Sequence, residues 1–165
     1  MLNTLNGLFI AAVLAGTPLL LGALGEILTE KSGNLNLGVE GMMFMGAITG
    51  LAGSYYYEQA VIGSGGNPNG AVSSVIALLT SFAAGSLGAL IYSFLTITLR
   101  ANQNVTGLTL TIFGTGFGKF FSESISDRRP AVMWQVSEVT KKAFSGIDIP
   151  VLSDIPVLGP RFIPV

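Results

Sequence analysis

Polar chemistry in this 165-residue chain is concentrated in one stretch, EILTEKSGNLNLGVEG, from Glu26 to Gly41. Its 16 positions hold three glutamates (Glu26, Glu30, Glu40), Lys31, two asparagines (Asn34, Asn36) and three glycines (Gly33, Gly38, Gly41), and they carry every charge among the first 57 residues. Carboxylates accept hydrogen bonds and amides both accept and donate them, so this stretch can contact a polar solute or satisfy backbone that leaves a helix. The chain has no histidine and no cysteine. That removes the usual general base, the usual zinc ligand, a Ser-His-Asp triad, thiolate metal sites and disulfide staples. No catalytic site, no metal site and no cofactor is expected, and a net charge of −1 argues against nucleic acid as a partner.

The elements that must position this stretch are apolar. Half the residues are hydrophobic, 10% are charged and the mean hydropathy is +0.65, whereas soluble domains carry about 25% charged residues. Residues 1–121 hold seven of the charges and the last 44 hold ten, so the first part needs a solvent other than water, which a bilayer supplies. Leu35, Leu37 and Val39 alternate with the asparagines and glycines, which suits a segment lying at membrane depth. Non-helical backbone is tolerated there only when protein or a water-filled cavity surrounds it, and a glycine-interrupted segment between apolar helices points to a transport pathway.

Leu5 to Leu24 reads as one helix of about 20 residues, long enough to cross the hydrocarbon. It lacks the basic start of a signal peptide, and Pro18 is expected to kink it. Met42 to Tyr57 is a second apolar run, with Gly46 and Gly50 spaced for close helix approach and Tyr55, Tyr56 and Tyr57 reading as an interfacial belt. A turn-rich connector, Gly63 to Gly70, leads to a third run, Ala71 to Leu99, whose packing face is expected at Ser81, Gly85 and Ala89 with Gly88 beside them. Arg100 to Asn104 forms a short polar break. The fourth run, Val105 to Phe121, carries a further pair of packing glycines, Gly114 and Gly118.

Residues 122–165 differ, with ten charges and five prolines. They read as a charged extramembrane or membrane-hugging loop in which Ser137 to Phe144 can form an amphipathic surface helix beside Trp134. The repeated DIPVL at 148–152 and 154–158 favours extended backbone, and the pattern stops in mid-loop, as expected of a truncated piece. Lys31 and Arg100 put residues 26–41 and 100–104 toward the cytoplasm and the connector at 58–70 outside. The fold class expected is all-α: a polytopic α-helical membrane protein with about four apolar segments and a broken or re-entrant segment at residues 26–41, the membrane region being residues 1–121.

Two segments carry a family resemblance. Thr29 to Met43, TEKSGNLNLGVEGMM, resembles the "ERSG-x-x-N-x-G-x-EGMM" signature of bacterial ABC-transporter permeases for nucleosides and simple sugars, a branch of the ribose and branched-chain amino-acid permease family. Leu99 to Gly107, LRANQNVTG, is similar to that family's "LRANQ-x-x-x-G" segment. The resemblance covers residues 8 to 121 and corresponds to the N-terminal half of the family pattern; the "GENP-x-AA-x-x-GI"-like segment of the second half is absent. It implies an inner-membrane, multi-pass importer subunit working with a second permease subunit, a cytoplasmic ATPase subunit and an extracytoplasmic substrate-binding protein. The alternatives are a branched-chain amino-acid permease, a non-transporting scaffold or truncated subunit, and a passive channel, for which only Glu40 offers a charge in a pore.

The candidate pathway residues each have two readings. Glu40 is a pathway or gating group, or an N-terminal cap favoured by the dipole of the helix Gly41–Tyr57. Asn34 and Asn36 donate to ribose hydroxyls, or satisfy backbone freed by the break. Asn102, Gln103 and Asn104 contact solute, or cap the next helix near Thr106. Lys31 pairing with Glu30 or Glu26 is expected to be a solvated ion pair of little worth. Arg128 and Arg129 recruit a binding protein, or lie in a solvated loop.

Overall fold

The computed structural model describes residues 2–126 and 136–143. Five α-helices follow one another: α1 (Leu2–Lys31), α2 (Val39–Gly63), α3 (Gly70–Ser93), α4 (Gln103–Ser126) and the short α5 (Glu138–Ala143). A π-helical turn, Phe94–Thr98, prolongs α3. Every described element is helical, as the composition requires. The helical stretches Gly7–Lys31 and Gly70–Thr98 are long and apolar enough to cross a membrane. At 1.5 Å per residue, α2 and α4 are each about 36 Å long.

The break between the first two helices is narrower than the run of polar residues. Glu26 to Lys31 belong to α1 and Val39 to Gly41 to α2, so the non-helical backbone is residues 32–38 alone. Glu, Leu and Lys are good helix formers, and charge does not end a helix; Gly33 does, at φ +87°. The amides of Gly33 and Asn34 bond back to the carbonyls of Glu30 and Thr29 at 2.9 and 3.2 Å, the paired bonds of a glycine-terminated helix. The same device ends α2, where Gly65 at φ +77° and Gly66 bond back to Ile62 and Val61. Asn69 caps α3 by accepting from the Ala71 amide at 2.9 Å. Helix α1 runs on through Pro18.

Burial in this bundle is inverted relative to a water-soluble core. The buried positions include Ser54, Ser73, Thr96, Glu58 and Asn36, while Leu20, Leu28, Leu79, Phe82, Leu90 and Ile112 face outward. Lipid tails are as apolar as leucine, so helices associate through close backbone approach and hydrogen bonds rather than by hiding leucines. Helices α2 and α3 pair most extensively. Gly46 and Gly50 admit α3 at Ser81, whose hydroxyl donates to the Gly46 carbonyl at 2.8 Å. Ser54 and Ser73, 2% and 0% exposed, share a hydroxyl bond of 2.5 Å.

Helix α4 approaches α2 closely at glycines on both helices. A Cβ on Gly41 would sit 2.6 Å from the Thr111 Cα, one on Gly114 would strike the Gly41 backbone, and one on Gly118 would strike the Phe44 ring. Gly46 and Gly50 thus lie against Ser81 of α3, Gly114 against Gly41 and Gly118 against Phe44. At Gly85 nothing lies within 4 Å of the missing Cβ, and Ala89 is exposed. The packing face of α3 instead runs through Ser73, Ala77, Ser81, Ala84, Gly88 and Tyr92. A strict four-residue step drifts off a 3.6-residue helix, whereas steps of four, four, three, four and four stay on one stripe. The three consecutive tyrosines likewise diverge: Tyr55 is 9% exposed and Tyr56 57%, because neighbours on a helix point about 100° apart.

Helix α4 continues to Ser126, five residues past the expected end of the apolar run. The surface helix expected at Ser137 to Phe144 forms over Glu138–Ala143, and a buried carboxylate holds it. Glu58, 3% exposed, accepts from the Ser137 amide at 2.7 Å, the Ser137 hydroxyl at 2.8 Å and the Thr140 hydroxyl. Gly70 provides the space, since a Cβ there would lie 3.1 Å from the Val139 carbonyl carbon. On the outer face of α5, the Lys141 ammonium donates to Glu138 at 2.7 Å and holds that carboxyl below its usual range. Its depressed value makes this small, solvent-screened contribution present above the ordinary carboxylate range and lost as pH falls through the lowered value. Arg128, Arg129, Trp134 and the DIPVL repeat lie outside the described residues.

Two outcomes follow from this packing. Gly41→Val is expected to lower the thermal midpoint of the detergent-solubilised protein, at an overpacking cost of roughly 1–3 kcal/mol or more, whereas Gly85→Ala, inside α3 with open space around it, is expected to leave stability unchanged or raise it by up to about 1 kcal/mol. Replacing Ser137 by Ala together with Thr140 by Val leaves Glu58 buried without its hydroxyl donors, each such bond being worth about 1.5–3 kcal/mol. Faster protease cleavage around α5 in membrane preparations is the expected readout.

Candidate functional site

A seven-residue gap, 32–38, separates two helices and has no ladder of its own. Its backbone groups are satisfied by side chains from three different helices. From α4, the Gln103 Oε1 accepts the Leu35 amide at 2.9 Å, and the Gln103 Nε2 donates to the Asn34 Oδ1 at 3.0 Å and to the Gly33 carbonyl at 3.5 Å. From α3, the Tyr92 hydroxyl donates to the Leu35 carbonyl at 2.5 Å. From α1, the Glu26 Oε1 accepts the Asn36 amide at 2.9 Å. The Asn36 side chain turns back on its own segment and accepts the Gly38 amide at 3.0 Å. Lastly, the Thr111 hydroxyl of α4 donates to the Leu37 carbonyl at 2.8 Å.

The glycines of α4 make these reaches possible. A Cβ on Gly107 would lie 2.7 Å from the Leu37 amide nitrogen, and one on Gly38 would lie 3.2 Å from the Gly107 carbonyl. Only bare backbone on both sides lets α4 come close enough for Gln103 and Thr111 to bond the gap. The second break joins the same site: Arg100 takes φ +52°, a costly conformation for a residue with a Cβ, and the sharp reversal brings Gln103 back onto residues 33–35. Behind the gap, a cavity of about 370 Å³ lies between α3 and α4, lined by Tyr92, Leu95, Thr106, Leu110 and Phe113 among others. Its walls are almost wholly apolar. A second cavity of about 310 Å³ lies under α5, between α2 and α3.

The sequence-predicted residues divide sharply. Asn34, Asn36 and Gln103 converge on the gap and satisfy backbone there. Asn102 is exposed and caps α4, its Oδ1 accepting the Val105 amide at 3.2 Å. Glu40 is exposed in the first turn of α2, where the helix dipole favours an anion, so it is not the buried carboxylate its apolar neighbours suggest. Lys31 forms no ion pair with Glu26 or Glu30; Glu26 turns inward to Asn36 instead. Among the described residues, the buried carboxylates are Glu58 and the inner end of Glu26, whose Oε2 is shut off from solvent and has no hydrogen-bond partner. Glu26, Tyr92 and Thr111 are residues that sequence reasoning missed as parts of the site. Tyr92 carried one signal, a hydroxyl deep in an uncharged run, which hydrocarbon obliges to find a partner. Among the described residues, no group of three or more His, Cys, Asp or Glu side chains is placed to hold a metal ion.

Comparison with known proteins finds permeases. The chain is 32% identical over 152 residues to NupQ of Bacillus subtilis, a guanosine ABC transporter permease protein, covering 92% of this chain and 43% of that one. It is 38% identical over 120 residues to TsgC13 of Haloferax volcanii, a permease whose name assigns it provisionally to glucose transport, covering 70% of this chain and 31% of that one. It is 26% identical over 161 residues to NupC of Lactococcus lactis, a nucleoside ABC transporter permease protein, covering 97% of this chain and 46% of that one. The chain thus spans less than half the length of each of these relatives. No solved structure matches it. Residues 8–142, which include both breaks and all of α5 but its last residue, match the family described as the branched-chain amino acid transport system permease component, and the chain belongs to that family of membrane permeases.

Proposed function

We propose that this chain is a transmembrane permease subunit of an ABC importer that carries nucleosides or related simple sugars across the bacterial cytoplasmic membrane. The observation that carries the reading is the clamped gap at residues 32–38, which lies within the family match and within the stretch most like the nucleoside-branch signature. The relatives named for guanosine and nucleoside transport support the substrate class. The chain crosses the membrane four times, through α1, α2, α3 and α4. The gap and the Arg100 reversal share the cytoplasmic end, while the 64–69 connector and α5 share the opposite one. Both placements agree with the contacts of Gln103 and of Gly70.

In this reading the chain binds no nucleotide. A cytoplasmic ATPase subunit hydrolyses ATP, an extracytoplasmic binding protein delivers solute, and a second permease subunit completes the pathway, with membrane lipid covering the exposed leucines. Alternating access comes from rocking of the bundle against its partner. The clamp at the gap keeps the moving backbone satisfied while it does so, because an unsatisfied group in hydrocarbon costs several kcal/mol. Transport of branched-chain amino acids is the second reading, favoured by the description of the family.

Cells lacking the gene, complemented with this chain and its neighbouring transporter genes, decide between them. Labelled uridine is expected to enter and to stop entering on ATP depletion, while leucine does not enter; leucine uptake without uridine uptake supports the second reading. Gln103→Ala is expected to lower uridine uptake several-fold at unchanged membrane abundance. Glu40→Gln is expected to have the smaller effect.

A further inference from the structure

Helix α1 is the least anchored part of the bundle. Among the described residues it packs on no helix but α2, where Gly22 meets Met43 and Val39. Its side-chain hold on the gap is a single bond, Glu26 Oε1 to the Asn36 amide at 2.9 Å. The gap itself is tied to α3 and α4 by Tyr92, Gln103 and Thr111. If α1 moves relative to the other helices, the seam that opens is the one between Glu26 and Asn36.

Glu26 Oε2 lies at that seam. It is the one buried side-chain nitrogen or oxygen among the described residues that has no partner. A carboxylate oxygen only accepts hydrogen bonds, and an acceptor sealed from water without a donor carries an uncompensated desolvation cost. The side-chain donors that α3 and α4 bring to the start of the gap are committed there: Tyr92 to the Leu35 carbonyl at 2.5 Å, and Gln103 to Asn34 at 3.0 Å. Neither can turn to Glu26 without releasing the gap. The closed arrangement is therefore disfavoured against any state that brings this oxygen a donor, and differential contact of that kind is what lets a ligand shift a conformational equilibrium.

We propose that Glu26 Oε2 accepts a hydroxyl of the transported sugar ring when the seam between α1 and the gap opens. The proposal rests on the nucleoside and sugar reading above and assigns the recognition within it. One free acceptor calls for one donor, and a ring hydroxyl is the donor that nucleosides and simple sugars share. Glu26 is then a specificity-determining residue, distinct in role from Asn34 and Gln103, whose polar groups are occupied by the gap.

The test uses the complete transporter in membrane vesicles, wild type and Glu26→Gln, with uridine and its 2′-, 3′- and 5′-deoxy analogues. Glutamine keeps an oxygen for the Asn36 amide and replaces the second acceptor by a donor. In the wild type, one analogue is expected to show a KM roughly tenfold or more above that of uridine, the worth of a hydrogen bond to a charged group. In Glu26→Gln that ratio is expected to fall to within about twofold. Because the variant changes only the permease, discrimination by the binding protein cancels in the comparison. An unchanged ratio overturns the proposal. So does an equal loss for all four substrates at normal membrane abundance, which marks Glu26 as holding Asn36 only. Should Glu26→Gln fail to reach the membrane, Glu26→Asp withdraws the carboxylate by one methylene, and a ratio unmoved there overturns the proposal too. Absence of ATP-dependent uridine uptake by the wild type would retire the nucleoside reading, and this assignment with it.

Discussion

Backbone that leaves a helix among packed helices must find its hydrogen bonds in protein, and this constraint organises the bundle around the break between α1 and α2. Residues 32–38 have neither an i→i−4 ladder nor a sheet partner. Left unpaired where it is buried, each amide or carbonyl there would cost about 1–3 kcal/mol. Gln103, Tyr92, Thr111, Glu26 and Asn36 meet that demand from α4, α3, α1 and the gap itself. The segment is thus held by side chains that release individually, unlike a helix that melts cooperatively, which suits a pathway that must change shape.

Such short reaches need helices closer than side chains normally permit. Gly38, Gly41, Gly107 and Gly114 remove the Cβ atoms that would separate α4 from the gap and from α2, and the small residues of α3 do the same against α2. The inverted burial follows from lipid as the solvent. With leucine and phenylalanine left facing outward and Ser54, Ser73 and Glu58 drawn inward, association rests on tight contact and hydrogen bonds. Tail and bundle are joined in this way too, through one carboxylate that accepts from the start of α5.

The helical class and the location of the break were legible in the sequence, because apolar run length and glycine spacing report directly on membrane helices. The limits of the break were less so. Glu26 and Glu30 mark the end of an apolar run but not the end of a helix, which waits for Gly33. Gly85 misled because a four-residue step only approximates the helical period. Glu40 is flanked by apolar residues, yet a flanking pattern does not say which way a side chain points, and it points outward. Glu58 and Tyr92 were hidden for the converse reason. Their partners lie 79 and 57 residues away in the chain, a separation that no local pattern encodes.

Amide hydrogen exchange across residues 32–38, in the assembled transporter in lipid, tests the clamp most directly. The 64–69 connector, which also joins two helices, serves as the internal reference. The Leu35, Asn36 and Gly38 amides are expected to exchange far more slowly than the connector, and Gln103→Ala is expected to accelerate exchange at Leu35 while leaving the interior of α3 protected. Exchange at residues 32–38 as fast as in the connector, and indifferent to Gln103→Ala, would contradict a gap held by side chains from three helices.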